Sequence, residues 1–192
     1  MGKEIPVFSM TKSDEEGEEF SYCRVFCQRE EPPPLRLLLD YMKSKSQIAL
    51  LPKMDPEALD DWAWVQVTLG YHRDKKPVQL FCIRDRGTYK DLFEKEQQGF
   101  MAQLSPFGDE EAQIARECIE RSRFIATTRI ITNNITDDGY DFNGWILEFF
   151  QDNCNGLVQI DGQGFYSPKG ELVVDLQEES QEDFTKPQIP QA

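Results

Sequence analysis

Residues 141–153 place Phe142, Trp145, Ile146, Phe149 and Phe150 at i, i+3, i+4, i+7 and i+8. The spacing predicts a helix with one broad apolar stripe, and such a stripe is stable only when buried. The chain must therefore supply a wide apolar surface to receive it. Short β-favouring runs at 20–28, 48–51, 62–69, 78–84, 123–131, 157–161, 164–167 and 171–176 read as the strands that do so. Side chains alternate along a strand. Cys23, Val25 and Cys27 then share one face of the first strand, and Ala63, Val65, Val67 and Leu69 one face of 62–69. These small faces suit close packing against helices.

Three further helices are predicted. One covers 35–46, is opened by the prolines at 32–34, and is striped by Leu35, Leu38, Leu39 and Met42. The others cover 88–104 and 109–122, parted by Pro106 and Gly108, with Asp109 as N-cap of the second. The element order repeats. Strand 20–28, helix 35–46 and three strands make one βαβββ unit, and strand 123–131, helix 141–153 and three strands make another. The expectation is an α+β fold of antiparallel sheet, or sheets, with helices on one face. Its two similar halves, 20–87 and 123–176, are joined by the helices of 88–122 within one domain, 20–176. In element order alone this resembles the vicinal-oxygen-chelate superfamily and the duplicated small-molecule-binding domains of the gyrase-inhibitor-like group.

The resemblance to the first group would imply a metal held by His and Glu from strands of both halves. The chain has one histidine, His72, in a charged turn, so no metal centre of that type is expected. Cys23 and Cys27 lie about 13 Å apart along a strand, too far for one zinc. Asp137, Asp138 and Asp141 fail the calcium-loop pattern, because Trp145 stands where a bidentate Glu is required. They read instead as helix caps, Asp141 or Asp138 accepting the free N–H groups. No glycine-rich phosphate loop leads into a helix, and no base is placed to activate a serine or cysteine. Cys154, at a helix C-terminus, should have a raised pKa. No cofactor is expected.

Charge narrows the partners. Asp and Glu number 35 against 21 Lys and Arg, a formal net charge of −14. Broad binding to a nucleic-acid backbone depends on clustered Lys and Arg and is not expected. Residues 1–19 carry two lysines against six acids, and residues 177–192 one lysine against four, so both ends read as acidic disordered tails. Half of the net charge belongs to them, and the 20–176 body is only moderately acidic. No apolar run reaches the roughly 18 residues of a membrane span. The five scattered cysteines suit core thiols of a reducing, cytoplasmic setting.

Two features point to a site. On strand 20–28, Phe20, Tyr22, Arg24 and Phe26 share the second face; on 62–69, Trp62, Trp64, Gln66 and Thr68 do. So many rings do not belong in water. A small molecule bound with Arg24 and Gln66, a partner or homodimer contact, or the chain's own 88–122 helices would each cover them. The second feature is Glu96, set in the stripe Tyr89, Leu92, Phe93, Phe100 and Leu104. Buried there, it needs a cationic partner or a raised pKa. The expected function is a non-enzymatic protein-interaction module of inhibitor, immunity or regulatory type. A small-molecule-binding domain using the aromatic face is the alternative, and a metal-independent enzyme using Glu96 or Asp161 is a third. The candidate binding residues are Tyr22, Arg24, Trp62, Trp64, Gln66 and Glu96.

Overall fold

The computed structural model describes residues 17–167 and 169–177. The acidic tails therefore lie outside the described residues, apart from 17–19 and 177. Among the described residues seven strands form a single sheet: β1 (Phe20–Cys27), β2 (Gln66–Leu69), β3 (Val78–Arg84), β4 (Phe124–Ile131), β5 (Gly156–Ile160), β6 (Gly164–Tyr166) and β7 (Leu172–Asp175). Their order is β2-β3-β4-β1-β5-β6-β7, and every pair is antiparallel. The first strands of the two predicted halves, β1 and β4, sit side by side at the centre. Strands of the two halves thus interleave in one sheet.

Among the described residues four α-helices cover it: α1 (Leu35–Ser44), α2 (Lys90–Leu104), α3 (Glu110–Glu120) and α4 (Asp137–Cys154). The expected α+β architecture stands, with one refinement. Helices α1 and α4 share one face, where Leu38, Met42, Phe142, Ile146 and Phe150 pack with Val25, Leu80 and Ala126. The connecting helices α2 and α3 cover the other. There Phe93, Phe100, Leu104, Ala115 and Ile119 pack with Phe26, Ile83, Ile125 and Phe165. A sheet with two apolar faces needs both layers, because either face left in water would forfeit its hydrophobic stabilisation. The rings of Phe26 and Phe100 meet edge to face at 5.4 Å, and those of Phe100 and Phe165 at 5.8 Å, tying α2 to the sheet.

Local signals account for most boundaries. Asp109 caps α3 by accepting from the Ala112 amide at 2.7 Å, and Glu110 and Glu111 follow in its positive first turn. Helix α4 starts earlier than its apolar period indicates. Thr136 is its N-cap and makes no side-chain cap bond, so capping by Asp138 or Asp141 is corrected. Asp137 and Asp138 lie in the first turn, where the helix dipole favours them. The helix ends where Asn155 turns left-handed, at φ 51°. The strand expected at 48–51 is reduced to one bridge, Leu50 with Gly70. The strand expected at 62–69 begins only at Gln66.

All five cysteines are unbridged, and only Cys118 is not buried. Burial pushes the Cys82 thiol up to about 12 and raises Cys23 and Cys27 as well. Cys154 departs from the expected rise. A hydrogen bond from the Cys27 thiol holds it below its usual value, and Arg29 adds to that. It stays 1% exposed. Reagent access therefore separates the five. Native protein treated with iodoacetamide at pH 8 should take up one adduct, at Cys118, and five after denaturation. Two or more adducts on the native chain, counted by intact mass, would contradict this burial.

Candidate functional site

Register builds the site. Arg24 of β1 lies opposite Gln159 of β5, on the face covered by α2. Opposed residues share a face, and so does Asp161, two positions beyond Gln159. Arg24 Nη1 donates to Gln159 Oε1 at 2.9 Å and to Asp161 Oδ1 at 2.6 Å. From above, α2 supplies Glu96, whose Oε2 accepts from Arg24 Nε at 2.8 Å. Phe100, one turn on, lies under the same guanidinium, 5.1 Å from its ring centre, and Tyr22 flanks it at 5.6 Å. Aromatic faces attract a cation that has lost its water.

The result is a guanidinium in the core, its side chain 7% exposed, against Glu96 at 13% and Asp161 at 40%. The cluster opens on a pocket of about 430 Å³, a size within the usual range for small-ligand sites. Lys95 and Gln103 line it from α2, and Leu176 from the chain after β7. Gly99 and Gly162 also line it, and a Cβ on either would meet nothing within 4 Å. Their missing side chains leave the space open. Arg24 uses one oxygen of each carboxylate. Among the described residues, Glu96 Oε1 and Asp161 Oδ2 receive no hydrogen bond. The pocket therefore offers unused anionic acceptors beside a charge that is already paired. Lys95, exposed on the rim, makes no ion pair among the described residues.

The structure brings Tyr22, Arg24 and Glu96 together and leaves Trp62, Trp64 and Gln66 elsewhere. The strand begins only at Gln66, so the alternation assumed for 62–69 does not fix the faces of Trp62 and Trp64. Trp64 points to the opposite face, in the α1/α4 core. Its ring lies 6.2 Å from Phe150, and its Nε1 donates to the Pro33 carbonyl at 2.9 Å. Trp62 is 47% exposed, with the Arg84 guanidinium 5.8 Å from its ring. Gln66 is exposed on the edge strand β2. The cover over the Tyr22/Arg24/Phe26 face is the chain's own α2 and α3, with a pocket left at Arg24.

Gln159 and Lys95 were not among the predicted residues. The signal for Gln159 was present: Leu157, Gln159 and Asp161 share a strand face, and two polar groups on an otherwise apolar strand need a buried partner. Among the described residues no group of three or more His, Cys, Asp or Glu could hold a metal ion, and no helix is long and apolar enough to cross a membrane. Comparison with protein-family models, with curated proteins and with solved structures finds no match.

Proposed function

We propose that this chain is a non-enzymatic protein-interaction module that captures a basic side chain of its partner in the Arg24 pocket. One observation carries the reading: two carboxylates converge on a single guanidinium at the floor of a 430 Å³ pocket, each with an oxygen to spare. A donor-rich cation from outside satisfies both oxygens with charge-assisted bonds. The net charge of −14 supports it by steering basic partners toward the chain. So does the sequence that follows the pocket. Leu176 is in the lining, and residues 178–183 hold four acids. The unbridged cysteines support a reducing compartment such as the cytoplasm.

The test uses N-acetyl-arginine amide as a probe of one basic side chain, with the isosteric but neutral N-acetyl-citrulline amide as control. Amide resonances of Gly99 and Gly162 should shift saturably with the first and not with the second. The affinity should fall as salt is raised. Glu96→Gln with Asp161→Asn should weaken it at least tenfold. Equal response to both probes, or none, removes the proposal. A second reading, a small zwitterion as ligand, is favoured by Lys95 on the rim: free arginine would then bind more tightly than its blocked amide, and Lys95→Ala would abolish that difference.

A further inference from the structure

A second pocket, of about 370 Å³, lies at the end of β3, where the segments leading into β2 and into α2 come together. It shares no lining residue with the Arg24 pocket. Trp62, Val65 and Tyr89 give it apolar walls. Its charged lining residues are Arg84 and Arg86, and among the described residues no Asp or Glu lines it, although the chain holds 35 of them. The two arginines differ. Arg86 is paired with Glu30, at 3.1 Å, and with Glu31. Arg84 makes no ion pair among the described residues.

Arg84 is partly buried. Its Nη2 donates to the Trp62 and Trp64 carbonyls, at 2.8 Å each, which fixes the guanidinium in place. Its Nε is buried without an acceptor and is out of reach of any ligand. Nη1 has no acceptor among the described residues either, but it is not closed off from solvent as Nε is. The guanidinium has thus given up part of its water without gaining a countercharge, which leaves its charge unmet. Nη1 is the donor it can still offer to the space it lines. Trp62 supplies an independent observation. It is 47% exposed, and its ring stands 5.8 Å from the same guanidinium. A flat apolar surface and an unanswered cation therefore face one cavity.

We infer that this pocket binds a small aromatic carboxylate, whose carboxylate accepts from Arg84 Nη1 and whose ring packs against Trp62, Val65 and Tyr89. A charge-assisted bond from a guanidinium already held in place costs little ordering. The charge count favours a monoanion. Arg84 balances one negative charge, and Arg86 is spent on Glu30 and Glu31. A phosphate dianion would bring a second charge that nothing in the lining answers, into a chain of net charge −14. A neutral ring would leave Arg84 unmet. The volume is at the small end of ligand sites, which suits one ring or two fused rings.

Benzoate is the probe. Benzamide keeps the ring and removes the charge, and acetate keeps the charge and removes the ring. Each is titrated into the full chain at pH 7 while the Ala63, Gly87 and Thr88 amides are followed. Benzoate should shift them saturably and bind about tenfold more tightly than either control. Its affinity should fall as salt is raised. In Arg84→Gln the preference for benzoate over benzamide should vanish. In Trp62→Ala, which truncates an exposed side chain, the preference for benzoate over acetate should vanish while the thermal transition is retained. Absence of saturable shifts, benzamide or acetate binding as tightly as benzoate, or unchanged preferences in the two variants overturns the inference. Should Arg84→Gln fail to fold, because its Nη2 bonds are lost, the wild-type comparison and Trp62→Ala decide. Gly99 and Gly162 amides, which report the Arg24 pocket, should stay still with benzoate, and movement there instead of at Gly87 and Thr88 also overturns the inference. This site and the proposed function therefore stand or fall separately.

Discussion

Arg24→Ala is expected to lower folding stability by about 3–5 kcal/mol, the range seen when one partner of a buried ion pair is removed. The loss comes less from the deleted attraction than from what remains. Glu96, its side chain 13% exposed, keeps a carboxylate with no cation beside it. Gln159 Oε1 loses its donor as well. Asp161 contributes less, because at 40% exposure water screens it. Urea denaturation with the slope held common measures the effect. The mechanism makes a second claim. Arg24→Leu combined with Glu96→Leu removes both charges and should be more stable than Arg24→Ala, although it deletes more polar contacts. A double variant as unstable as the single one would show that the packing of the Arg24 stem over Phe100, not the stranded charge, sets the cost.

Gly164→Ala is expected to cost about 3 kcal/mol or more, and to release β7 from the sheet. Gly164 has φ +149°, a conformation that side chains rarely adopt. A Cβ there would stand 1.9 Å from the Val174 carbonyl oxygen and 3.2 Å from Asp175 Cα. Both are backbone atoms of the strand it pairs with, so no rotamer change relieves the overlap. The two strands must separate, exposing Phe165 and Val174 of the α2/α3 core. Hydrogen exchange at the Val174 and Leu176 amides should accelerate, with loss of the Leu176 N–H bond to the Gln163 carbonyl. Gly170→Ala is the control. Its φ is +77° but nothing lies within 4 Å, so only the left-handed strain of about 1 kcal/mol applies. Equal losses at the two positions would mean that backbone strain, not contact with β7, governs Gly164.

Elements whose causes lie within a few residues were legible. The stripe of α4 needs only i+3 and i+4 neighbours, and the cap of α3 only Asp109 and Ala112. The face of β1 carrying Tyr22, Arg24 and Phe26 also followed from its alternation, because that strand is extended throughout. The same rule failed for Trp62 and Trp64. Alternation assigns a face only within the strand, and the strand begins only at Gln66, after both tryptophans. Likewise 48–51 had strand composition but found a partner at only one residue, and a strand without pairing is not a strand.

Glu96 marks the division between the two levels. From the chain alone it was a carboxylate set in an apolar stripe, needing a cation or a shifted pKa. That need is a local fact, since the stripe is built by its own helix. Which cation answers it was not local. Arg24 lies 72 residues from Glu96, 135 from Gln159 and 137 from Asp161. Their meeting depends on β1 entering between β4 and β5 and on α2 crossing the face opposite α4. The sequence by itself determined the helices, the sidedness of β1 and the presence of an acid requiring a partner, because these arise from near-neighbour sterics and periodicity. Only the tertiary structure decided that the partner is Arg24, that the tryptophans stand apart, and that a pocket opens at Arg24 between α2 and Leu176, because strand order and helix placement are set by the burial of the whole sheet.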